Sequence, residues 1–361
     1  MSCGNSPALR ARRSTESVIL ADIGAALADA IKEEADAGSL LPSGATLTAS
    51  GTWRPAATKS PGSYATSLPF GLARLAGRPA EAIAAQLALR LTSQPWVSSV
   101  TTASGYLTVT VAARHLAGLP ARVVAAGRAV ARSDALPGTR LVAPGLPDLA
   151  AEPGWADAWQ KQHEALNGRL AEAAGAEVFF TPSEAGAGSG EVAEAVFYRG
   201  LDAVRFALAA APVFSAANIH RQLTRPLDVS NPFVLVSHAH ADASSNLRWA
   251  FDLGLTAERG ARDALEPEEL ALIDAMSWFP ERVAAAARRR RPADLVAYLA
   301  GFALAWLNCT ENCPALPFRG SKAPADPAGP LAGARLELAD AARVALASGL
   351  ALLAVAAPSR L

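Results

Sequence analysis

The pattern of apolar and polar residues separates a mixed first part of the chain from a helical last part. Apolar residues three and four positions apart predict helices over about 18–37, 68–76, 79–91 and 112–132. Alternating apolar residues predict strands over about 45–53, 97–100 and 106–111. Helices and strands mixed in this order are typical of an α+β domain, which we assign to residues 15–132.

The middle of the chain, residues 133–190, is rich in proline, glycine and alanine. It contains one predicted helix over 156–173 and one predicted strand over 177–180. A glycine-rich stretch from Gly186 to Gly190 follows this strand and precedes a helix, which is the position of an anion-binding loop. The stretch lacks the lysine and serine or threonine that hold a triphosphate. We therefore interpret it as a flexible connector, and residues 133–190 as a divergent linker.

Apolar residues at helical spacing continue from residue 191 to residue 361. They predict helices over about 191–211, 232–247, 266–278, 283–291, 295–312 and 335–348. Pro314 is predicted to end the fifth of these helices. Gly349 is predicted to end the sixth by adopting the left-handed backbone conformation. Because helices with one apolar face need partners, residues 191–361 should pack together. The predicted fold class is an α+β N-terminal domain followed by an all-α helical bundle.

The charges of the chain balance, with 33 lysine and arginine residues against 33 aspartate and glutamate residues. No field of the whole molecule therefore attracts nucleic acid, and an RNA contact must come from a local basic patch. All but four of the basic residues are arginine. The planar guanidinium group is suited to phosphates and to base stacking, which makes arginine clusters the places to examine.

Three features bear on the compartment. The three cysteines provide no disulfide framework, which is typical of a reducing interior. The arginines near the N-terminus are not followed by the apolar segment of a signal peptide. The longest apolar run, 350–357, is shorter than the ~20 residues of a membrane span. We expect a cytoplasmic protein whose partners include neither a membrane nor DNA.

The last helices carry a motif with specific spacing. It consists of Cys-Pro-x-Leu, a variable loop, Arg-Leu-x-Leu, and Gly-Leu-x-Leu-Leu followed by Ala-Pro and an apolar residue near the terminus. The matching residues are Cys313, Pro314, Leu316, Arg335, Leu336, Leu338, Gly349, Leu350, Leu352, Leu353, Ala357, Pro358 and Leu361. This segment resembles the end of the DALR anticodon-binding domain of arginyl-tRNA synthetases.

A second motif lies in the predicted α+β domain. Its residues are Gly62, Tyr64, Ala65, Thr66, Leu68 and Gly105-Tyr106-Leu107. They resemble the N-terminal appended domain of arginyl-tRNA synthetases, although Ser63, Ser67 and Thr108 replace the Asp, Asn and Asn of that family. The resemblance implies contact with the D-loop elbow of tRNA, with Tyr64 and Tyr106 as candidates. Tyr64 has a second interpretation as a buried core aromatic.

The helix that begins at Asn231-Pro232 resembles the family's helix Asn-Pro-x-x-Tyr-Val-Gln-Tyr-Ala-His-Ala-Arg. Asn231 and His240 match this helix, and together with His238 and Arg248 of the same helix they are our candidate RNA contacts. Three positions depart from it: Leu235 and His238 replace tyrosines, and Asp242 replaces arginine. These changes remove stacking and phosphate contacts from a face that meets RNA in the family. RNA is therefore either held differently by this chain or no longer bound.

The same helix contains the sequence His238-Ala-His240-Ala-Asp242, which suggests metal ligands. Residues two apart point to different faces of a helix, so we predict no metal site here. Cys309 and Cys313 share a helix face but have no further ligands nearby, and we interpret them as buried thiols. The sequence shows no recognisable spacing of a nucleophile, a base and an acid such as a catalytic triad requires. We therefore assign no catalytic residue and no cofactor.

A run of four arginines ends a predicted helix before Pro292. Cations at this position are stabilised by the helix dipole, which is one interpretation of the run. The other is that they bind RNA phosphates together with arginines of the last helix. The candidates that this interpretation adds are Arg288, Arg289, Arg290, Arg291, Arg335 and Arg343, and the resemblance adds the terminal Leu361.

In the synthetase family a nucleotide-binding catalytic domain with His-x-Gly-His and Lys-Met-Ser-Lys motifs lies between the two resembling regions. Neither motif occurs in this sequence, and residues 133–190 are too few for a doubly wound sheet. We interpret them as a divergent linker or a remnant that replaces the catalytic domain. We expect a protein that binds tRNA or a tRNA-like RNA without aminoacylation activity of its own. Two alternatives stay open. One is an enzyme acting on aminoacyl-tRNA through residues 133–199, and the other is a scaffold for a protein partner that has lost RNA binding.

Overall fold

The computed structural model describes residues 19–36, 53–56, 60–152, 154–183, 190–255, 265–317 and 329–360. Its α-helices are α1 (Ile19–Asp36), α2 (Leu68–Ala76), α3 (Ala80–Thr92), α4 (Ala113–Leu116), α5 (Leu119–Ala126), α6 (Trp155–Ala173), α7 (Glu191–Arg199), α8 (Leu201–Ala210), α9 (Ala216–Leu223), α10 (Pro232–Asp252), α11 (Pro267–Ser277), α12 (Phe279–Arg289), α13 (Pro292–Asn312) and α14 (Pro330–Leu352). Its strands are β1 (Trp53–Pro55), β2 (Ser63–Thr66), β3 (Val97–Ala103), β4 (Tyr106–Val111), β5 (Arg140–Pro144) and β6 (Glu177–Thr181). Two 3₁₀ turns cover Gly127–Ala131 and Leu149–Ala151.

The described residues form two compact units. The first consists of the described residues within 1–122 and 262–277, and the second of those within 123–261 and 278–361. Helix α11 groups with the first unit, and the segment 133–190 groups with the second. The predicted strand 45–53 before Trp53, most of the glycine-rich stretch, and Leu361 lie outside the described residues.

A four-stranded antiparallel sheet forms the centre of the first unit, in the order β1-β2-β4-β3. In β4 the residues Leu107, Val109 and Val111 are buried, while the threonines between them are half-buried. Helices α2 and α3 pack against this strand. The alternation that predicted β4 therefore corresponds to one face of the sheet covered by helices and one face that is less buried. The predicted α+β character of this region is confirmed.

Strand β2 forms where the sequence pattern predicted only the entry to a helix. Tyr64 lies opposite Val109 and Thr66 lies opposite Leu107 in the β2–β4 pair. Both β2 side chains are buried, so the pairing gains apolar contact that a loop at these positions would not make. Helix α2 begins two residues later, where the Thr66 hydroxyl accepts a hydrogen bond from the Leu68 amide at 3.1 Å.

Two predicted helices are interrupted. The prediction over 112–132 becomes α4, α5 and a 3₁₀ turn, because Pro120 fits the first turn of α5 but cannot continue a helix from α4. The prediction over 191–211 becomes α7 and α8. Gly200, with φ of +85°, separates them and adopts a backbone conformation that other residues rarely take.

The described residues of the segment 133–190 form a single β-α-β unit. Strands β5 and β6 are parallel, with Val142 opposite Phe179, and helix α6 crosses between them. Gly168 allows the helix to approach the sheet, because a Cβ atom at this position would overlap the side chain of Ala143. The sequence predicted α6 and β6 but not β5, which ends in a proline and shows no alternation.

Among the described residues from 190 onward, the regular elements are all helices joined by short non-helical segments, as predicted. Helix α10 packs against α13 and α14, and α13 packs against α12. The apolar stripe predicted for α13 is its buried face, formed by Leu295, Leu299, Phe302 and Trp306. By length and composition α13 also satisfies the criteria for a membrane span, and buried core helices satisfy the same criteria.

Gly349 does not terminate the last helix as the sequence predicted. Helix α14 continues to Leu352, and the left-handed residue is Ala354, with φ of +58°. Gly349 instead lies in contact with α13, where a Cβ atom would overlap the side chain of Leu299. The prediction was wrong because a glycine needed for close helix packing has the same sequence signal as a glycine needed for a turn.

Candidate nucleic-acid interface

The first turn of α10 explains the Asn-Pro pair. The Asn231 side chain accepts a hydrogen bond from the Phe233 amide at 3.1 Å and caps the helix, and Pro232 occupies the first helical position. Asn231 is itself buried. Its position in the structure is therefore that of a helix cap, and the exposed surface of α10 is provided by other residues.

His240 points into the second unit and contacts the chain terminus. Its Nδ1 donates a hydrogen bond to the carbonyl oxygen of Pro358 at 2.8 Å. Burial lowers the pKa of His240 below its usual value, and the nearby charge of Arg343 lowers it further. This histidine therefore favours the neutral form and holds the tail of the chain, residues 353–360.

Asp242 also points inward, toward α13. Trp306 Nε1 donates to Asp242 Oδ2 at 3.0 Å, and Asn246 Nδ2 donates to the same oxygen at 3.2 Å. Burial raises the pKa of Asp242. The carboxylate that replaces the family's arginine thus joins two helices, and Leu235, which replaces a tyrosine, is buried as well.

His238 is half-buried, in contrast to the buried His240. Because His240 and Asp242 have separate hydrogen-bond partners, the three polar residues of this motif are not arranged around one point. Among the described residues, no group of three histidine, cysteine, aspartate or glutamate side chains is placed to hold a metal ion. Cys309 and Cys313 are both buried, and neither forms a disulfide bond with another described residue.

Arginine side chains bind main-chain carbonyls at the end of α14 and in the tail. Arg205 Nη1 donates to the Ala354 carbonyl at 3.1 Å, and Arg248 Nη1 donates to the Ser359 carbonyl at 2.7 Å. Arg169 Nη2 donates to the Ala351 carbonyl at 2.7 Å. Cations at the carbonyl end of α14 also suit its dipole. Arg248, a candidate RNA contact from the sequence, is therefore already engaged within the protein.

Arg335 has a similar internal role. It is buried, and its Nη1 donates to the Pro314 carbonyl at 3.1 Å, which connects the Arg-Leu-x-Leu and Cys-Pro motifs. Arg343 is partly exposed, and its guanidinium binds Asp340 with nitrogen–oxygen distances of 2.9 and 2.6 Å. Of these two candidates, Arg343 retains exposed surface through which an RNA phosphate could be reached.

The four-arginine run is exposed at the end of α12. Arg288 binds Glu281 at 2.6 Å, and Arg289 and Arg291 approach Asp294 at 3.2 and 3.7 Å. Arg290 is the left-handed residue that ends the helix, with φ of +52°. Five arginines and two carboxylates lie between residues 281 and 294. This stretch therefore carries a net charge of +3.

In the first unit the two candidate tyrosines have different environments. Tyr64 is fully buried, and its hydroxyl donates to Ser277 Oγ at 2.7 Å. Burial raises the pKa of Tyr64. Tyr106 is 44% exposed and packs edge-on against Phe70, with ring centroids 5.0 Å apart. The structure thus gives Tyr64 the position of a core aromatic and leaves Tyr106 accessible.

A cavity of about 180 Å³ lies beside the carboxyl ends of the two parallel strands. Its lining consists of Pro144, Gly145, Leu146, Ala165, Arg169 and Phe180. Arg169 is the one charged side chain in this lining, and it is bonded to main-chain carbonyls of α14. The described lining therefore lacks a paired acid and base, or a nucleophile, with which an enzyme could transform a substrate.

The sequence did not identify Arg169 and Arg205, which bind the carbonyls at the end of α14. Both stand on amphipathic helices, where an arginine normally indicates a solvent-facing position. Their acceptors, the carbonyls of Ala351 and Ala354, belong to a segment about 150 to 180 positions away in the sequence. The inward direction of Asp242 was missed for the same reason, since its partner Trp306 is 64 positions away.

Comparison with known proteins identifies the class to which the helical part belongs. Residues 236–361 match the model of the DALR anticodon binding domain. The matched segment includes the described parts of α10, α12, α13 and α14, together with α11 of the first unit. The C-terminal part of this chain is thus a DALR anticodon-binding domain, which confirms the resemblance seen in its closing motif.

The same part of the chain is homologous to arginyl-tRNA synthetases. Over 165 residues it is 39% identical to the arginine–tRNA ligase of Frankia alni, covering 45% of this chain and 29% of that protein. Over 174 residues it is 34% identical to the arginine–tRNA ligase of Micrococcus luteus, covering 47% of this chain and 31% of that protein. The match thus spans less than a third of each of these relatives.

A solved structure of the arginyl-tRNA synthetase of Thermus thermophilus is similar in fold. It aligns with a TM-score of 0.65 over 95% of this chain and 100% of that chain, at 15% sequence identity. At this identity the likeness concerns the fold. It extends the structural relationship beyond the residues that the sequence comparisons match.

Proposed function

We propose that this chain is a cytoplasmic protein that binds tRNA or a tRNA-like RNA and does not aminoacylate it by itself. The observation that carries the proposal is the match of residues 236–361 to the DALR anticodon binding domain. The match falls on helices whose packing is described, and the motif residue Arg335 holds the end of α13 to α14. A domain that retains this internal architecture retains the scaffold on which an RNA surface is built.

The proposed absence of aminoacylation rests on residues inside the chain. Between the two resembling regions, the residues that the structure describes form one β-α-β unit with two strands, from Arg140 to Thr181. A dinucleotide-binding fold needs two sets of such units. Because this segment is internal, its length does not depend on where the sequence begins or ends. The motifs that hold ATP in the family are likewise missing from the sequence between these regions.

The exposed arginines of α12 are the proposed phosphate contacts. Arg282, Arg288 and Arg289 project from this helix, and Arg290 and Arg291 follow it. The ion pairs with Glu281 and Asp294 position the guanidinium groups without removing the net positive charge. The arginines of these pairs are exposed while the carboxylates are half-buried, and ion pairs at a protein surface contribute roughly 0.2–1 kcal/mol each. A phosphate can therefore replace a carboxylate at modest cost.

Neutralising this run tests the proposal. In the variant with Arg288, Arg289, Arg290 and Arg291 changed to Gln, the affinity for a labelled tRNA pool should fall, and its salt dependence should become less steep. The matched control changes four exposed arginines elsewhere to Gln, namely Arg74, Arg78, Arg199 and Arg221. Equal affinities for wild type and the α12 variant at every salt concentration would contradict the proposed surface.

The absence of aminoacylation has its own measurement. Purified chain is incubated with arginine, ATP and labelled pyrophosphate, and arginine-dependent ATP–pyrophosphate exchange is followed. We expect none, because the two strands of the β-α-β unit do not form a nucleotide site. Exchange above the level of a heat-denatured sample would overturn this part of the proposal and leave RNA binding in place.

One observation favours a second candidate function, a scaffold for a protein partner. On the face of the β5–β6 sheet away from α6, Val142 is 73% exposed and Phe179 is 54% exposed. Parallel sheets are ordinarily covered on both faces. Sequencing the RNA that remains bound to the purified chain distinguishes the functions. Recovery of specific tRNAs supports RNA binding, chemically altered tRNA supports an enzyme, and no RNA supports the scaffold.

A further inference from the structure

Negative charge is missing from a long stretch of this neutral chain. Residues 82–133 contain no aspartate or glutamate, and their arginines are Arg90, Arg114, Arg122, Arg128 and Arg132. Positive charge therefore accumulates around these arginines unless carboxylates from other segments of the chain form ion pairs with them. The structure shows which of them remain unpaired.

Two of these arginines are paired with carboxylates in the first unit, where Arg114 Nη2 also donates a hydrogen bond to the Pro95 carbonyl at 2.9 Å. Arg90 Nε binds Glu34 at 2.8 Å, and Arg122 Nη1 binds Asp22 at 2.6 Å. Arg128 and Arg132 differ, because both are exposed. Among the residues that the structure describes, no carboxylate forms an ion pair with either of them. Both belong to the second unit.

A rigid turn presents these two cations. The 3₁₀ turn Gly127–Ala131 buries Val130 and Ala131, and it packs against α14 and α12. Arg128 lies within the turn and Arg132 directly follows it. Since the turn is fixed by buried side chains, a phosphate bound there would require ordering of the arginine side chains alone.

The turn borders the helix that carries the proposed phosphate contacts. Helix α12 presents Arg282, Arg288 and Arg289, so the two elements in contact both carry exposed arginines. The two segments are about 150 positions apart in sequence, and only the second of them lies in the residues that match the anticodon-binding model. One of the two contacting elements, the turn, therefore lies outside the recognised domain.

We propose that Arg128 and Arg132 bind RNA phosphates and extend the α12 surface beyond residues 236–361. This inference rests on the proposed RNA-binding function. Unlike Arg288 and Arg289, these arginines have no described carboxylate to release when they contact a phosphate. Contacts to phosphates carry no sequence information, so the turn should add affinity equally for different RNAs.

The test compares wild type with Arg128→Gln/Arg132→Gln in titrations of a labelled tRNA pool at several KCl concentrations. Each lost phosphate contact should reduce the slope of log K against log salt by about 0.7–0.9. Two contacts correspond to a fall in affinity on the order of tenfold at 0.1 M KCl. The matched control, Arg74→Gln/Arg199→Gln, removes two exposed charges elsewhere and should bind as wild type does. Thermal unfolding checks that the variants fold equally well.

The outcomes separate this inference from the function on which it rests. In one outcome the α12 variant loses affinity while Arg128→Gln/Arg132→Gln keeps the wild-type slope of log K against log salt. The turn is then not part of the RNA-binding surface, and the proposed RNA binding through α12 is retained. If the wild type itself does not bind the tRNA pool, both proposals fall. A reduced slope in the turn variant, with an unchanged slope in the control, supports the extended surface.

Discussion

The indole of Trp306 on α13 donates a hydrogen bond to the carboxylate of Asp242 on α10, with a nitrogen–oxygen distance of 3.0 Å. Both residues lie in the second unit, and burial raises the pKa of the carboxyl group. A position that carries arginine in the resembling synthetase helix is thus used here to join two helices. An arginine at this position would meet an indole N–H, which is also a donor, so no hydrogen bond would form.

We expect Trp306→Phe to destabilise the protein. The substitution keeps an aromatic ring but removes the donor, so the carboxylate of Asp242 loses one of its partners at a cost of about 1–3 kcal/mol. Urea unfolding followed by circular dichroism measures the change. The control is Trp249→Phe, at an exposed position on α10. An equal and small effect in both variants would mean that the hydrogen bond contributes little to stability.

Removing the hydroxyl of Tyr64 tests whether this residue belongs to the core or to an RNA surface. In Tyr64→Phe we expect a loss of stability of about 0.5–1.5 kcal/mol. The loss should be near the lower end, because Ser277 Oγ keeps its own bond to the Asp274 carbonyl at 2.6 Å. The affinity for tRNA should not change. Tyr106→Ala, at the accessible position, is the comparison: weaker RNA binding in Tyr64→Phe alone would contradict the core assignment.

The contact between α13 and α14 requires a residue without a side chain at position 349. Gly349→Ala places a methyl group against Leu299, and such overpacking typically costs about 1–3 kcal/mol. The matched control is Gly301→Ala on α13, where a Cβ atom meets nothing within 4 Å. There alanine should stabilise the helix by up to about 1 kcal/mol. Thermal melts of the two variants should therefore shift in opposite directions.

Stability should fall as the pH drops below about 6.5, the usual pKa of histidine. Burial lowers the folded-state pKa values of His163 and His240, so the unfolded chain binds protons first. Each group contributes a slope of up to about 1.4 kcal/mol per pH unit between its unfolded and folded pKa values. Asp242, whose pKa is raised, acts with the opposite sign and at lower pH, near the usual range of a carboxyl group.

His240→Asn isolates one of these contributions. Asparagine retains an N–H donor for the Pro358 carbonyl but does not titrate, so the loss of stability between pH 6.5 and 5 should become less steep. Urea unfolding at intervals of half a pH unit measures the slope. His220→Asn, at an exposed position, is the control and should leave the slope unchanged. A slope in His240→Asn identical to that of wild type would contradict the role given to burial.

The spacing of apolar residues along the sequence was enough to predict most of the helices and strands. The buried stripe of α13, the helices α1, α3 and α6, and the alternation in β4 all follow from spacing, because neighbours along the chain decide which face is apolar. The closing motif likewise identified the anticodon-binding type of the last domain, since its glycine, proline and leucine positions are set by local packing between consecutive helices.

The tertiary structure decided which polar residues are available to a ligand. Spacing could not show that Asp242 and His240 point inward, because their partners Trp306 and Pro358 are distant in sequence. It could not distinguish Gly349 as a packing position from a helix terminator. Nor could it show that the 127–131 turn, which contains Arg128, packs against α12. Sequence periodicity reports the preference of a segment for burial, whereas hydrogen-bond partners and charge clusters arise only when distant segments meet.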